Sequence, residues 1–174
     1  MERVVLFFVT LLNLSLAGCH PKPEDEPVQT ASSIIVKTSN AAEGVAARSE
    51  VLETVVFTGN DILWFNETTK ELCFKNNFSS SPLNNPFLYA RPAIRFYIHD
   101  EYLFSTIIVT GLSSRSYNEL VFYYSIPENK YFLVDGYPPG LSGAQEERDE
   151  NMRKIAGEWN RFIEQLKKEG RYKN

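Results

Sequence analysis

Histidine is the side chain most often used for acid–base chemistry and for metal binding, and this chain has only two, His20 and His99. Neither belongs to an HExxH motif, and the sequence contains no CxxC pair, GxSxG turn, Walker loop or GxGxxG fingerprint. His99 is followed by Asp100 and Glu101, a cluster that makes at most a weak metal site. We therefore expect no catalytic residue, no metal site and no cofactor.

Carboxylates are the remaining side chains with hydrolytic potential, provided that two of them converge in the fold. Asp61, Asp100 and Asp135 each lie beside a predicted strand, where turn and cap roles are usual. A hydrolase assembled from these acids is kept as an alternative. Cys73 lies in the apolar stretch KELCFK and is expected to be a buried, unreactive thiol.

Recognition is better represented than catalysis, in two loops that carry aromatic residues. The segment 76–92, with Phe87 and Tyr89, is long for a connection within one domain. The segment 135–143 places Tyr137 before two prolines. Rigid aromatic side chains lose little entropy on binding, so these three residues are candidate contacts for a glycan or a protein partner. The alternative is that they cap the ends of the core.

An apolar run precedes the first cysteine. VVLFFVTLLNLSL, residues 4–16, has the length of a signal-peptide h-region and is too short to span a bilayer, which needs ~20 apolar residues. LAGC, residues 16–19, resembles the lipobox of bacterial lipoproteins. The resemblance implies that residues 1–18 are a signal peptide and that Cys19 receives a diacylglyceryl thioether. The partner is then a membrane, reached through the lipid, and Cys19 is not available for a disulfide.

Residues 19–32 are predicted to be a lipidated, flexible tether, because CHPKPEDEPVQTAS is rich in proline and charge and poor in apolar groups. Its acids, residues 24–26, are similar to the short acidic export signals of surface lipoproteins in Bacteroidota, although a plain soluble linker has the same composition. His20 gives no aspartate of the kind associated with inner-membrane retention. We expect an outer-membrane lipoprotein whose domain faces either the periplasm or the outside.

Residues 33–174 are predicted to form a single domain, beginning with a set of strands. The signal is a series of short runs rich in aromatic and β-branched residues and separated by turn residues. The segment between residues 38 and 50 is left undecided between a loop and a weak helix. The predicted strands are 33–37, 54–58, 61–65, 71–75, 93–98, 102–110, 119–125 and 131–135.

The C-terminal segment has a helical period instead. A capping box of Ser142 and Gln145 is expected to start one long helix, and Gly170 to end it. Acidic residues fill its first turns and lysines its last, which suits the helix dipole. The apolar stripe consists of Met152, Ile155, Ala156, Trp159, Phe162, Ile163 and Leu166.

These elements predict an α+β fold: an antiparallel β-sheet meander packed by one long C-terminal amphipathic helix. The antiparallel arrangement is inferred from short connections between strands. Several strands carry apolar residues on both faces, so the sheet needs two covers. The helix supplies one, and the other is the first group of strands, a closed barrel or a partner molecule. The second choice of fold is a lipocalin-like β-barrel with a C-terminal helix.

The charge of the chain argues against nucleic acid as a partner. The formal charge is −4 and the basic residues are scattered, so no basic stripe is offered to nucleic acid. We expect a non-catalytic, lipid-anchored envelope protein that acts as a binding module for an envelope protein or a glycan. The alternatives are the hydrolase described above and a carrier of apolar ligands, which needs an empty barrel interior.

Overall fold

Nine strands and two α-helices build the domain in a computed structural model that describes residues 32–39, 53–75, 93–141 and 143–174. The elements are β1 (Ile34–Ser39), β2 (Glu53–Thr58), β3 (Ile62–Asn66), β4 (Glu71–Phe74), β5 (Ala93–Ile98), β6 (Glu101–Thr110), β7 (Val121–Ser125), β8 (Lys130–Val134), α1 (Gln145–Lys154), α2 (Ala156–Lys168) and β9 (Tyr172–Lys173). The predicted signal peptide, Cys19 and most of the predicted tether lie outside the described residues.

The strands form one curled sheet in the order β2-β1-β5-β6-β7-β8-β4-β3-β9. β2 stands at one end of this order and β3 near the other, yet a 3-10 turn of three residues, Gly59–Asp61, joins them. So short a connection is possible only because the sheet curls and brings the end of β2 close to the start of β3, near the other end of the sheet. The protein is therefore α+β with a barrel-like sheet, and we call the place where β2 approaches β3 the seam.

The predicted antiparallel meander is wrong, because the sheet is mixed. β6 and β7 pair in parallel, and so do β3 and β9. The short connection between β6 and β7 misled the prediction. β7 overlaps only the last four residues of β6, from the pair Ile107–Val121 to the pair Thr110–Tyr124. The chain consequently returns only about 10 Å along the sheet, and a connection of ordinary loop length is enough.

The single long helix is also wrong, since the chain breaks at Ile155 into α1 and α2. α2 packs an apolar stripe against the core. α1 is held by polar contacts, with buried Arg148 donating to the carbonyl of Pro138 at 3.1 Å and Asn151 donating to the carbonyl of Asn118 at 3.0 Å. The two helices therefore have different partners. α1 begins at Gln145, and Ser142 of the predicted capping box is outside the described residues.

Gly170 ends α2 as predicted. Its backbone lies in the left-handed region, with φ of 68°, which glycine adopts without strain. The amide of Gly170 donates to the carbonyl of Lys167 at 3.0 Å, and that of Arg171 to the carbonyl of Leu166 at 2.8 Å. This pair of bonds is a Schellman motif, which satisfies the last carbonyls of the helix and sends the chain into β9.

The inner face of the curled sheet is filled by aromatic side chains. Phe96 and Phe104 stack with ring centres 4.8 Å apart, and Phe162 of α2 meets both rings edge-on. Because these side chains occupy the interior, an apolar ligand would have to displace them to enter. The buried rings are Phe57, Phe65, Phe96, Phe104, Phe122, Trp159 and Phe162.

Part of the outer face of the sheet is covered by two loops. Val109 and Val121 pack there with Tyr137, and the backbones of Tyr137 and Tyr117 pair across the two connections that follow β6 and β8. Loops therefore supply the second cover that two apolar faces require. The first group of strands does not cover the sheet, because it belongs to the same sheet.

Candidate functional site

A group of polar and aromatic side chains occupies the outer face of β2, β1, β5 and β6. Along β1, buried residues alternate with outward ones, and the register carries that alternation into β5 and β6. One outward row pairs Lys37 with Arg95 and Arg95 with Ser105, and the next pairs Tyr97 with Tyr102. Together with Glu53 of β2 they form what we call the outer-face patch: Lys37, Glu53, Arg95, Tyr97, Tyr102 and Ser105.

Glu53 holds three members of the outer-face patch in place. Its Oε1 accepts hydrogen bonds from the Tyr97 hydroxyl at 2.9 Å and from Arg95 Nη1 at 3.1 Å. Its Oε2 lies 3.4 Å from Lys37 Nζ, which also sits 4.8 Å from the centre of the Tyr97 ring. The side chains of Arg95 and Tyr97 are thus fixed before any ligand arrives.

The same contacts set the ionisation of the patch. The hydrogen bond from Tyr97 lowers the pKa of Glu53, and Arg95 and Lys37 lower it further, against a smaller opposing effect of burial. Burial raises the pKa of Tyr97, and the hydrogen bond to Glu53 raises it as well. At neutral pH the carboxylate is therefore charged and the phenol keeps its proton.

Tyr102 gives the patch an accessible aromatic surface. The residue is 51% exposed, and its ring meets Tyr97 edge-on with centres 5.9 Å apart. Arg95, Tyr97, Tyr102 and Ser105 line a shallow, open groove of about 420 Å³. The groove combines a ring for stacking with guanidinium and hydroxyl groups for hydrogen bonding, which suits recognition.

A second shallow groove, of about 530 Å³, lies where α1 meets α2. Asp135 and Asp149 line it beside Arg153, but Asp61 and Asp100 do not. It therefore holds one of the three acids proposed for a hydrolase. Its full lining is Asp135, Asp149, Met152, Arg153, Ala156, Trp159 and Asn160.

The three predicted acids lie in three different connections. Asp61 accepts hydrogen bonds from the Thr58 amide at 2.8 Å and the Thr58 hydroxyl at 3.0 Å, so it caps the 3-10 turn. Asp100 is exposed in the turn between β5 and β6, next to His99. Asp135 follows β8. Within the described ranges, no three His, Cys, Asp or Glu residues come close enough together to hold a metal ion.

Glu101, the third residue of the predicted weak metal cluster, is engaged in an ion pair instead. Its two carboxylate oxygens accept from the two terminal nitrogens of Arg161 on α2, at 2.8 and 2.6 Å. The hydrogen bonds from Arg161 lower the pKa of Glu101. The pair ties the tip of the β5–β6 hairpin to the helix.

Of the three aromatic residues predicted for recognition, the structure describes Tyr137. Tyr137 is only 9% exposed, and its ring lies 5.5 Å from that of Tyr123 in the cluster on the outer face. Its role in recognition stays a prediction to which this packing lends no support. Phe87 and Tyr89 lie outside the described residues. Cys73 is buried, as predicted.

Sequence reasoning missed the outer-face patch. Arg95 interrupts the apolar run AIRFYI, and that polar residue at a strand position was the available signal for an outward row. It does not reveal which strands lie beside β5. The register with β1 and β6, which brings Lys37 and Ser105 alongside Arg95, exists only in the folded sheet.

Comparisons with known proteins give no relative: no protein-family model, no curated protein and no solved structure matches this chain. Neither α-helix of the described part combines the length and the hydropathy needed to cross a bilayer.

Proposed function

We propose that this chain is a non-catalytic binding module of the bacterial outer membrane, held there by lipids on Cys19, and that it captures its partner at the outer-face patch. The observation that carries the binding role is the half-exposed ring of Tyr102 beside an Arg95 side chain that Glu53 already holds.

The placement of the patch favours binding. Its residues stand on paired strands, and sites on strands are held more rigidly than sites on loops. Arg95 and Tyr97 share one carboxylate, so little side-chain entropy is lost when a partner contacts them. A preorganised surface of this kind binds without a chemical step.

The anchor is supported by the lipobox-like residues 16–19 and the apolar run before them. Two or three acyl chains hold a protein persistently, whereas one chain holds it only marginally. The thirteen residues from 20 to 32 reach at most ~45 Å, so the domain stays within that distance of the lipid headgroups.

Intact-mass spectrometry of the native protein and of Cys19→Ser tests the anchor. We expect wild type to lack residues 1–18, to carry the mass of acyl chains and to enter the detergent phase. An unprocessed chain or a bare Cys19 would refute it.

Affinity capture from solubilised envelopes tests the patch. We expect Tyr102→Ala to lose a component that wild type retains. Leu112→Ala, at a more exposed apolar residue in the β6–β7 connection, is the matched control and is expected to keep it. Equal retention by all three proteins would remove the patch from the proposal.

A further inference from the structure

We propose that the ligand of the outer-face patch is an oligosaccharide that carries a carboxylate, such as a chain of uronic acids. This inference rests on the proposed function, because it names the ligand of the same surface. Three features of the patch lead to it: the spacing of its groups, its charge and its small apolar area.

The spacing matches one sugar ring. Tyr97 and Tyr102 form one cross-strand pair, and Arg95 and Ser105 form another two residues away along β5. Outward residues two apart on a strand are separated by roughly 7 Å. A pyranose ring stacked on Tyr102 would therefore have its edge hydroxyl groups beside the guanidinium of Arg95 and the hydroxyl of Ser105.

The charge favours an acidic sugar. Lys37 and Arg95 share the single carboxylate of Glu53, and the lowered pKa of that group keeps it charged. Two cations against one anion leave one positive charge, in a chain whose overall charge is −4. A guanidinium has five N–H donors, and the described contacts of Arg95 use one of them on Glu53. One further carboxylate balances the patch.

The apolar area is too small for a stable protein partner. Among the described residues, the large hydrophobic side chains exposed on this face are Val55 and Tyr102. A stable protein interface buries about 800 Å² on each side around an apolar centre. One stacked ring with polar neighbours instead fits a saccharide, which presents an apolar ring face and hydroxyl edges.

Isothermal titration of the full-length lipoprotein in detergent tests this, with trigalacturonate as the acidic probe and maltotriose as the neutral one. We expect trigalacturonate to bind more tightly than maltotriose.

Tyr102→Ala should weaken binding about threefold to tenfold through the lost aromatic contact. Arg95→Met should weaken the binding of trigalacturonate by about tenfold or more, because a charge-assisted hydrogen bond is lost. Leu112→Ala is the binding control and should bind trigalacturonate as wild type does. Unchanged thermal unfolding of each variant would show that the variant is folded.

Failure to bind either probe would overturn the inference. So would equal affinity for the two probes, or binding that Tyr102→Ala leaves unchanged. If envelope capture still depends on Tyr102 while no saccharide binds, the proposed function stands and the ligand class is wrong. If neither capture nor titration depends on Tyr102, both fail.

Discussion

Arg171 and Glu169 form a buried ion pair, with Nε and Oε2 3.1 Å apart and neither side chain more than 4% exposed. Arg171 Nη1 also donates to the carbonyl of Ile62 at 2.5 Å. Glu169 Oε1 accepts from the Ser33 amide at 3.1 Å and from Gln165 Nε2 at 2.7 Å. The pair therefore joins the end of α2 to β1 and β3 at the seam.

This network lies where the predicted tether would enter the domain. Ser33 precedes β1, and the amide of Ser32 donates to the side chain of Asn60 in the 3-10 turn at 3.0 Å. The backbone of β9 continues the closure, because the Phe65 amide donates to the Arg171 carbonyl at 2.8 Å. The C-terminal residues thus contact both the residue before β1 and the strand β3.

Arg171→Met is expected to lower the free energy of unfolding by about 3–5 kcal/mol, because it leaves the buried Glu169 without its cation. Urea unfolding of the purified full-length protein measures this. The double variant R171M/E169L should recover part of the loss, since no buried charge is then unpaired. Lys154→Met removes an exposed helical pair with Glu150 and should leave the midpoint unchanged. A single-variant loss below about 1 kcal/mol would show that the pair is not structural.

Phe162→Ala is expected to cost about 3–5 kcal/mol, because it opens a cavity at the centre of the core. Phe162 is fully buried and its ring meets those of Phe65, Phe96 and Phe104. Thermal or urea unfolding checks the loss. Asn160→Ala, on the exposed side of the same helix, is the matched control and should not destabilise the protein, because alanine has the higher helix propensity. A loss of equal size there would mean that the packing of Phe162 is not responsible.

Local features of the fold were predictable from the sequence where one short segment decides them. The aromatic and β-branched residues of AIRFYI predict β5 with its observed bounds, 93–98, and Gly170 marks the end of α2. Propensity, strand period and helix caps act within a few residues. The apolar stripe from Trp159 to Leu166 was predictable as a buried face because its helical spacing is set within one helix.

Features that depend on distant partners were not predictable. Arg171 stands in the polar ending EGRYKN, and only the meeting of β1 and β3 at the seam makes it a buried residue. Arg148 lies on the same helical face as Met152, and it is buried there with its guanidinium donating to the carbonyl of Pro138, a partner that no local pattern indicates. The outer-face patch is assembled by register across four strands. No local pattern contains that register.

The stability that Glu53 contributes is expected to fall in acid. Its pKa in the folded protein lies below the ordinary value of 4.5, chiefly because of the hydrogen bond from Tyr97. A lowered pKa contributes stability that is present above the ordinary value and is lost as the pH falls through the folded value. Glu53→Gln should therefore unfold at a lower urea concentration than wild type at neutral pH, with a smaller difference near pH 3.

Tyr97→Phe is the matched variant for that measurement. It removes the hydroxyl group that lowers the pKa of Glu53 most, so the acid loss of stability should begin at a higher pH than in wild type. If the difference between wild type and Glu53→Gln is the same at neutral pH and near pH 3, the charge of Glu53 does not contribute to stability.

Alanine at Gly59 tests the close packing at the seam, and alanine at Gly157 in α2 is the comparison. The two substitutions should change the free energy of unfolding in opposite directions. A Cβ on Gly59 would come 2.7 Å from Ser32 Cβ and 3.1 Å from Ile34 Cβ, so Gly59→Ala must push the start of β1 away from the 3-10 turn. We expect a loss of about 1–3 kcal/mol in the free energy of unfolding.

A Cβ on Gly157, in the first turn of α2, meets nothing within 4 Å, and alanine there should stabilise the protein by about 0.5–1 kcal/mol through helix propensity. Both variants change the unfolded chain alike, so the difference between their urea midpoints reports the folded state. Equal midpoints would mean that β1 does not pack against the turn as closely as the structure places it.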